Sequence, residues 1–227
     1  MDDQALIEGQ IRYYRDRAAE YDVTSTEPDN PFEVDLERIR TALRAFAPRG
    51  RVLELAAGTG QWTGILAEFA DELMVTDASD EMLAINAVRH GGPHVRYAVA
   101  DVFALAPTPE WDVVCFGFWL SHVPHSRFAD FWHLCAGLLR PGGRVFLADE
   151  ADHGLWQEDW VDRERGIVRR PLLDGTHHQA VKVLWNPADL AERLARSGWT
   201  ASLETSGPFY WGSIIPAQPG PSSTSTS

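Results

Sequence analysis

Apolar positions recur at helical spacing near the start of the chain. Leu6, Ile7, Gln10, Ile11, Tyr14 and Ala18 share one face of a helix predicted over 5–22. Pro28 and Pro31 break that pattern. A second amphipathic helix follows over 33–46, ended by Pro48 and Gly50. Short apolar runs then alternate with amphipathic segments. Strands are predicted at 51–55, 72–76, 94–99, 112–117 and 143–148, with helices at about 61–70, 79–89 and 126–139 between them. Such alternation implies a parallel sheet with helices on both faces. The expected fold class is α/β: a doubly wound, mostly parallel seven-stranded sheet. The rhythm fails over 150–178, where Trp156, Trp160 and a charged run from Arg163 to Arg170 read as an insertion over the carboxyl edge of the sheet. A strand at 179–185, a helix at 187–197 and strands near 199–204 and 208–215 follow. The chain reads as one domain over 1–215, with the insertion spanning 150–186. The Pro-, Gly-, Ser- and Thr-rich stretch 216–227 is expected to be disordered.

Composition narrows the class. The 227 residues suit one elaborated domain, and 44% hydrophobic content suffices for a full core. The formal charge is 20 − 33 = −13, which argues against sequence-independent nucleic-acid binding and against an anionic membrane surface. Cys115 and Cys135 both lie in apolar runs and read as buried free thiols, which fits a reducing cytoplasm. The start Met1-Asp2-Asp3 shows no secretory pattern, and no apolar run approaches membrane-spanning length.

The candidate chemistry sits at the first strand–helix junction. The run Val52-Leu53-Glu54-Leu55-Ala56-Ala57-Gly58-Thr59-Gly60 is a strand entering a glycine turn. Glycines there let backbone approach a ligand. The second strand ends in Val75-Thr76-Asp77, with Asp77 placed 17 residues after Gly60, and a terminal acid there suits ribose hydroxyls. Position 63 is Thr rather than the third Gly of the dinucleotide fingerprint, so a pyrophosphate is not supported. Glu54 near the strand end suits a cation better than a phosphate. S-adenosylmethionine carries an ammonium, a sulfonium and a ribose, and no phosphate.

On these residues, and on Asp101-Val102 and Leu139-Arg140-Pro141-Gly142-Gly143, residues 10–150 resemble the class I S-adenosylmethionine-dependent methyltransferases. The resemblance implies that Gly58 and Gly60 lie under the methionine part of the cofactor and that Asp77 takes the ribose. It puts Met82 beside the adenine and Asp101-Val102 at its amine. Ala56, Trp62 and Phe116 join the cofactor set. Residues 1–48 become a helical lid, with Tyr14 at the cofactor and Tyr21 near the chemistry. No metal is expected, and the expected partner is a small-molecule acceptor. A binder that turns nothing over is the other class of reading, signalled by a broken glycine turn or a lost ribose acid; neither is seen.

Two narrower resemblances bear on the acceptor. Leu6-Ile7-Glu8, Trp119-Leu120-Ser121-His122-Val123-Pro124, Val168-Arg169-Arg170 and Val181-Lys182-Val183 resemble phosphonate O-methyltransferases of the dehydrophos type. There Arg169, Arg170 and Lys182 either clamp an oxyanion or pair with nearby acids. Phe118, Trp119, Trp156, Trp160, Trp185 and Trp211 instead suggest rings around an aromatic acceptor, similar to indole C3-methyltransferases of the physostigmine type. Trp111, Trp132 and Trp199 fit ordinary core patterns. The preferred expectation is an indole natural-product intermediate, with O-methylation of a phosphonate or carboxylate antibiotic intermediate as the alternative. His122, just past the fourth strand, is either the base that takes a proton or a structural histidine closing the loop before Pro124.

Overall fold

The computed structural model describes residues 3–21, 30–152, 154 and 157–217. Trp156, the end of the first predicted helix at residue 22 and all of the expected disordered tail beyond Ala217 lie outside these. Helix α1 (Asp3–Arg17) and helix α2 (Glu33–Phe46) precede the sheet. The alternating segments then resolve as β1 (Arg51–Glu54), α3 (Thr63–Phe69), β2 (Glu72–Asp77), α4 (Asp80–His90), β3 (Val95–Val99) and β4 (Trp111–Gly117). After these come α5 (Phe128–Leu138), β5 (Leu139–Glu150), β6 (Trp160–Asp162), β7 (Ile167–Pro171), β8 (His177–Val181), α6 (Pro187–Arg196), β9 (Trp199–Ser206) and β10 (Phe209–Pro216).

Seven strands form one sheet in the order β3-β2-β1-β4-β5-β10-β9. β1 to β5 pair in parallel, and β10 runs antiparallel between β5 and β9. This is the expected doubly wound sheet. Strands buried on both faces must be apolar on both, as Val52, Leu53, Val113 and Val114 are. α5 and α6 cover one face through Phe131, Trp132, Leu190 and Leu194. α2, α3 and α4 cover the other through Ile39, Leu43, Ile65, Leu66 and Leu83. Asn186 caps α6 by accepting from the Ala188 and Asp189 N–H groups, with Pro187 at the first helical position.

The segment expected as an insertion is a second sheet, in the order β6-β7-β8. The predicted strand at 179–185 belongs to it and not to the large sheet. Helix α1 lies on this small sheet, burying Tyr13 with Val168 and Ala180, while Tyr14 and Trp160 pack partly buried against them.

Most tryptophans are structural. Trp132 and Trp199 are core, as their patterns implied, with ring centroids 5.1 Å apart. Trp185 and Trp211 are buried core as well. The Trp185 ring packs 5.0 Å from Phe128 and 5.3 Å from His125, closing the seam between α5 and the chain leaving β8. Trp185→Ala empties that seam and is expected to lower stability by about 3–5 kcal/mol. Trp160→Ala, at the half-buried rim of the small sheet, costs less. Urea unfolding of both variants measures the difference.

Candidate active site

The strand order reverses between β1 and β4, and a parallel sheet leaves a crevice at such a reversal. Two non-glycine residues adopt left-handed backbone there, Ala56 (φ 50) after β1 and Phe118 (φ 55) after β4. Each such conformation costs on the order of 1–3 kcal/mol, so the surrounding bonds must hold it. The Ala57 N–H donates to the Thr76 carbonyl, and the Phe118 N–H to the Ala148 carbonyl.

The crevice opens into a cavity. Ala56, Ala57, Gly58 and Thr59 form one wall, and Asp77, Ser79 and Met82 another. Asp101, Val102, Trp62, Phe118, Trp119 and His122 complete the floor, and Ile7, Gln10, Ile11, Tyr14 and Tyr21 close the top. Gly58 has φ +55, and a Cβ added there meets nothing within 4 Å, so the space beside it is open. The Asp77 carboxylate accepts from the Gly58 N–H (2.9 Å) and the Ser79 N–H (2.9 Å), tying the glycine turn to the end of β2. Burial raises its pKa, and the backbone amides of Ser79, Gly58 and Ala78 pull it back.

Tyr14 and His122 meet inside this cavity. The His122 Nδ1 lies 2.7 Å from the Val181 carbonyl, which can only accept, so Nδ1 carries the proton. Nε2 is then an acceptor, and the Tyr14 hydroxyl donates to it at 2.8 Å. Burial, then the Lys182 ammonium, hold the His122 pKa well below its ordinary value against the Val181 carbonyl. Burial, then neighbouring Tyr21 and Tyr13, hold Tyr14 well above its own. Both groups are therefore neutral near pH 7.

Comparison with known proteins settles the class of this cavity. A family model described as a methyltransferase domain matches residues 52–143. The ubiquinone biosynthesis O-methyltransferase of Xylella fastidiosa (strain 9a5c) is 31% identical over 176 residues, covering 74% of this chain and 67% of that protein. The solved complex of DhpI with SAM and HEP matches at 40% identity with a TM-score of 0.83, covering 95% of this chain and 100% of that one. The chain belongs to the class I S-adenosylmethionine-dependent methyltransferases. The DhpI–SAH complex matches similarly, at 38% identity and TM-score 0.82, and the resemblance to the dehydrophos-type enzymes is borne out. The squalestatin hexaketide synthase of Phoma sp. (strain ATCC 20986 / MF5453) is 29% identical over 217 residues, and this chain spans 8% of its length.

S-adenosylmethionine fits the methyltransferase cavity on three observations. Gly58 leaves an open cradle, Asp77 lines the cavity, and the buried Trp119 Nε1–H has no partner among the described residues. Ala56, Trp62, Met82, Asp101 and Val102 line the cavity, and so do Tyr14, Tyr21, Phe118, Trp119 and His122.

Other expected residues do not line the cavity. The Phe116 ring turns into the core, 5.1 Å from Phe131. Gly60 (φ +101) is glycine because a Cβ would strike His90 and Asn86. Glu54 faces away from the cavity. One of its oxygens accepts from the Thr63 hydroxyl at 2.7 Å, and the residue is 1% exposed. Asn86 donates to both Thr63 Oγ1 and the Gly58 carbonyl, so Glu54 supports the glycine turn from behind. Arg170 forms a paired contact with Glu158, at 2.6 and 2.8 Å. Lys182 is ion-paired with Glu150 and Arg169 reaches Asp159. Trp160, Trp185 and Trp211 belong to packing. The cavity also holds Gln10, which the sequence reading counted only as part of a helical stripe. A glutamine among apolar residues on the inner face was the available signal. Among the described residues, no three His, Cys, Asp or Glu side chains gather to hold a metal, and no helix is long and apolar enough to cross a membrane.

Two predictions follow from this geometry. Gly58→Val fills the open cradle and Asp77→Ala removes the carboxylate that ties the glycine turn to β2; calorimetry should show cofactor binding lost in both while circular dichroism reports an intact fold. Glu54 gives a pH dependence. Burial raises its pKa from 4.5 to about 8, opposed by the Thr63 hydroxyl. Between those values the unfolded chain releases a proton that the folded chain keeps. Stability is fully present below that window and falls as pH rises through it. Urea midpoints measured across the window should slope downward for the wild type and stay flatter for Glu54→Gln.

Proposed function

We propose that this methyltransferase methylates an oxygen of a small acceptor that still carries its proton, either a hydroxyl or a singly protonated oxyacid such as a phosphonate. The observation that carries the reading is the neutral Tyr14–His122 pair inside the cavity. S-adenosylmethionine, when bound, supplies a methyl group already activated on sulfur. The protein's work is to position the acceptor, exclude water and receive one proton. Tyr14 gives its hydroxyl hydrogen to Nε2, so its oxygen lone pairs remain for the acceptor O–H. As the new O–CH3 bond forms, the acceptor proton passes to the Tyr14 oxygen, and the Tyr14 proton passes to His122 Nε2. His122 ends as imidazolium, with Nδ1–H still on the Val181 carbonyl. Tyr21, Ile7 and Ile11 cover the path and keep bulk water away.

The O-methyltransferase names among the relatives support an oxygen acceptor, although one relative is named a C-methyltransferase. DhpI was solved with HEP. A second reading, C3-methylation of an indole intermediate, has its own support. Five rings line the cavity, Tyr14, Tyr21, Trp62, Phe118 and Trp119, and could stack on an aromatic acceptor. The three other rings first assigned to that role within the described residues pack elsewhere.

The test is methyl transfer across phosphonates, carboxylates, phenols and indoles, with the product's methylated atom assigned by NMR. Methylation on oxygen is expected, and methylation confined to indole carbon would overturn the proposal. His122→Ala should lower kcat by about 10²–10⁴-fold. The wild-type rate should hold to pH values below the ordinary histidine range, because the base is the neutral form and its pKa is depressed.

A further inference from the structure

An amide buried on an apolar helix face is costly unless both its ends are paired. Gln10 is 2% exposed on the inner face of α1, with Leu6, Ile7 and Tyr13. Both ends are paired, and both partners are main chain at the site. Its Oε1 accepts from the Val181 N–H at 2.9 Å, and its Nε2 donates to the His122 carbonyl at 3.2 Å. The Val181 carbonyl accepts from His122 Nδ1 at 2.7 Å, which closes a ring of three hydrogen bonds. That ring joins α1, the turn after β4 and the last residue of β8. One turn further along α1, on the same face, Tyr14 reaches His122 Nε2. Helix α1 therefore holds His122 twice, by its main chain through Gln10 and by its ring through Tyr14.

We infer that Gln10 is a positioning residue, through which docking of α1 on β8 and aiming of His122 Nε2 at Tyr14 become one event. The proton acceptor is complete only when the helix covers the cavity. This rests on the reading of Tyr14 and His122 as the proton path. Gln10 meets no reacting atom. Its effect is to keep Val181 and His122 at the spacing that fixes one tautomer. The charged and titratable groups facing His122 come from every neighbouring element: Lys182 beside β8, Arg170 on β7, and Tyr14 and Arg17 on α1. The three cations disfavour a further positive charge, so the tautomer and the dryness of the site both matter to when His122 takes a proton.

The test uses the whole chain. Gln10→Leu keeps the volume and removes both bonds, and Gln10→Glu keeps the acceptor for Val181 but loses the donor. Long-range ¹H–¹⁵N spectra read the His122 tautomer directly, without acceptor present. Calorimetry reads S-adenosylhomocysteine affinity, and the pH profile of kcat reads the base. The wild type should show the single Nδ1–H tautomer. Gln10→Leu should mix the tautomers, lower kcat by about 10- to 100-fold and move the acid limb up toward the ordinary histidine range. Affinity for S-adenosylhomocysteine should fall by less than kcat does, because the Gly58 turn and Asp77 are left intact. Should Gln10→Leu fail to fold, Gln10→Glu carries the same readouts. A wild-type tautomer with wild-type kcat and pH profile in the folded variants overturns the clamp. Wild-type kcat in His122→Ala overturns the proton path instead, and the tautomer spectrum then decides the clamp alone.

Discussion

The Asp77 carboxylate is the tie on which the cofactor side depends. One oxygen holds the Gly58 N–H of the turn after β1, and the other holds the Ser79 N–H at the start of α4. A left-handed residue at position 58 and a helix starting at position 80 are thereby fixed to one another. Ser79 caps that helix by accepting the Met82 N–H, so Asp77 acts on the cap through its backbone. Behind the turn, Asn86 bonds the Gly58 carbonyl and Thr63, and Thr63 bonds Glu54. The polar chain from Glu54 to Asp77 encloses the turn from both sides. Each member is buried or nearly so, where an unpaired polar group is most costly. The glycine turn is thus a rigid cradle whose shape exists before a ligand arrives.

This part of the molecule was legible in the sequence for a physical reason. Parallel strands buried on both faces need continuous apolar runs, and a backbone approaching a ligand needs glycine, so both leave local marks. The strands over 51–55, 72–76 and 112–117, the glycine turn and the acid ending β2 followed from those marks, whereas the bond between Gly58 and Asp77 left none. Glu54 was misread because its place at a strand end was visible but its direction was not. The small sheet of β6, β7 and β8 was only partly visible. Its strands are three to five residues long, and their partner is a helix more than a hundred residues away in sequence.

The acceptor side was harder to read because its residue types have two uses. A tryptophan ring that can stack on a ligand fills a core seam equally well, and tertiary packing decides which. Trp185 went to the seam beside Phe128, and Trp119 to the cavity. Cations behave alike. Arg170 and Lys182 suit an oxyanion, but each meets a carboxylate supplied by another strand or loop, Glu158 or Glu150, that sequence spacing does not reveal. The pair that does meet in the cavity, Tyr14 and His122, carries no charge.

That neutrality constrains the acceptor. With Nδ1–H fixed on the Val181 carbonyl, Nε2 has one lone pair and Tyr14 one hydrogen, and they satisfy each other. The pair offers the cavity only oxygen lone pairs. An acceptor that donates a hydrogen bond completes the set around the Tyr14 oxygen. A fully ionised oxyacid would demand the Tyr14 hydrogen for itself. Nε2 would then lose its donor in a dry site whose neighbouring cations already oppose its protonation. On the proposed proton path, the same histidine that accepts a departing proton selects, through Tyr14, for an acceptor that still has one to give.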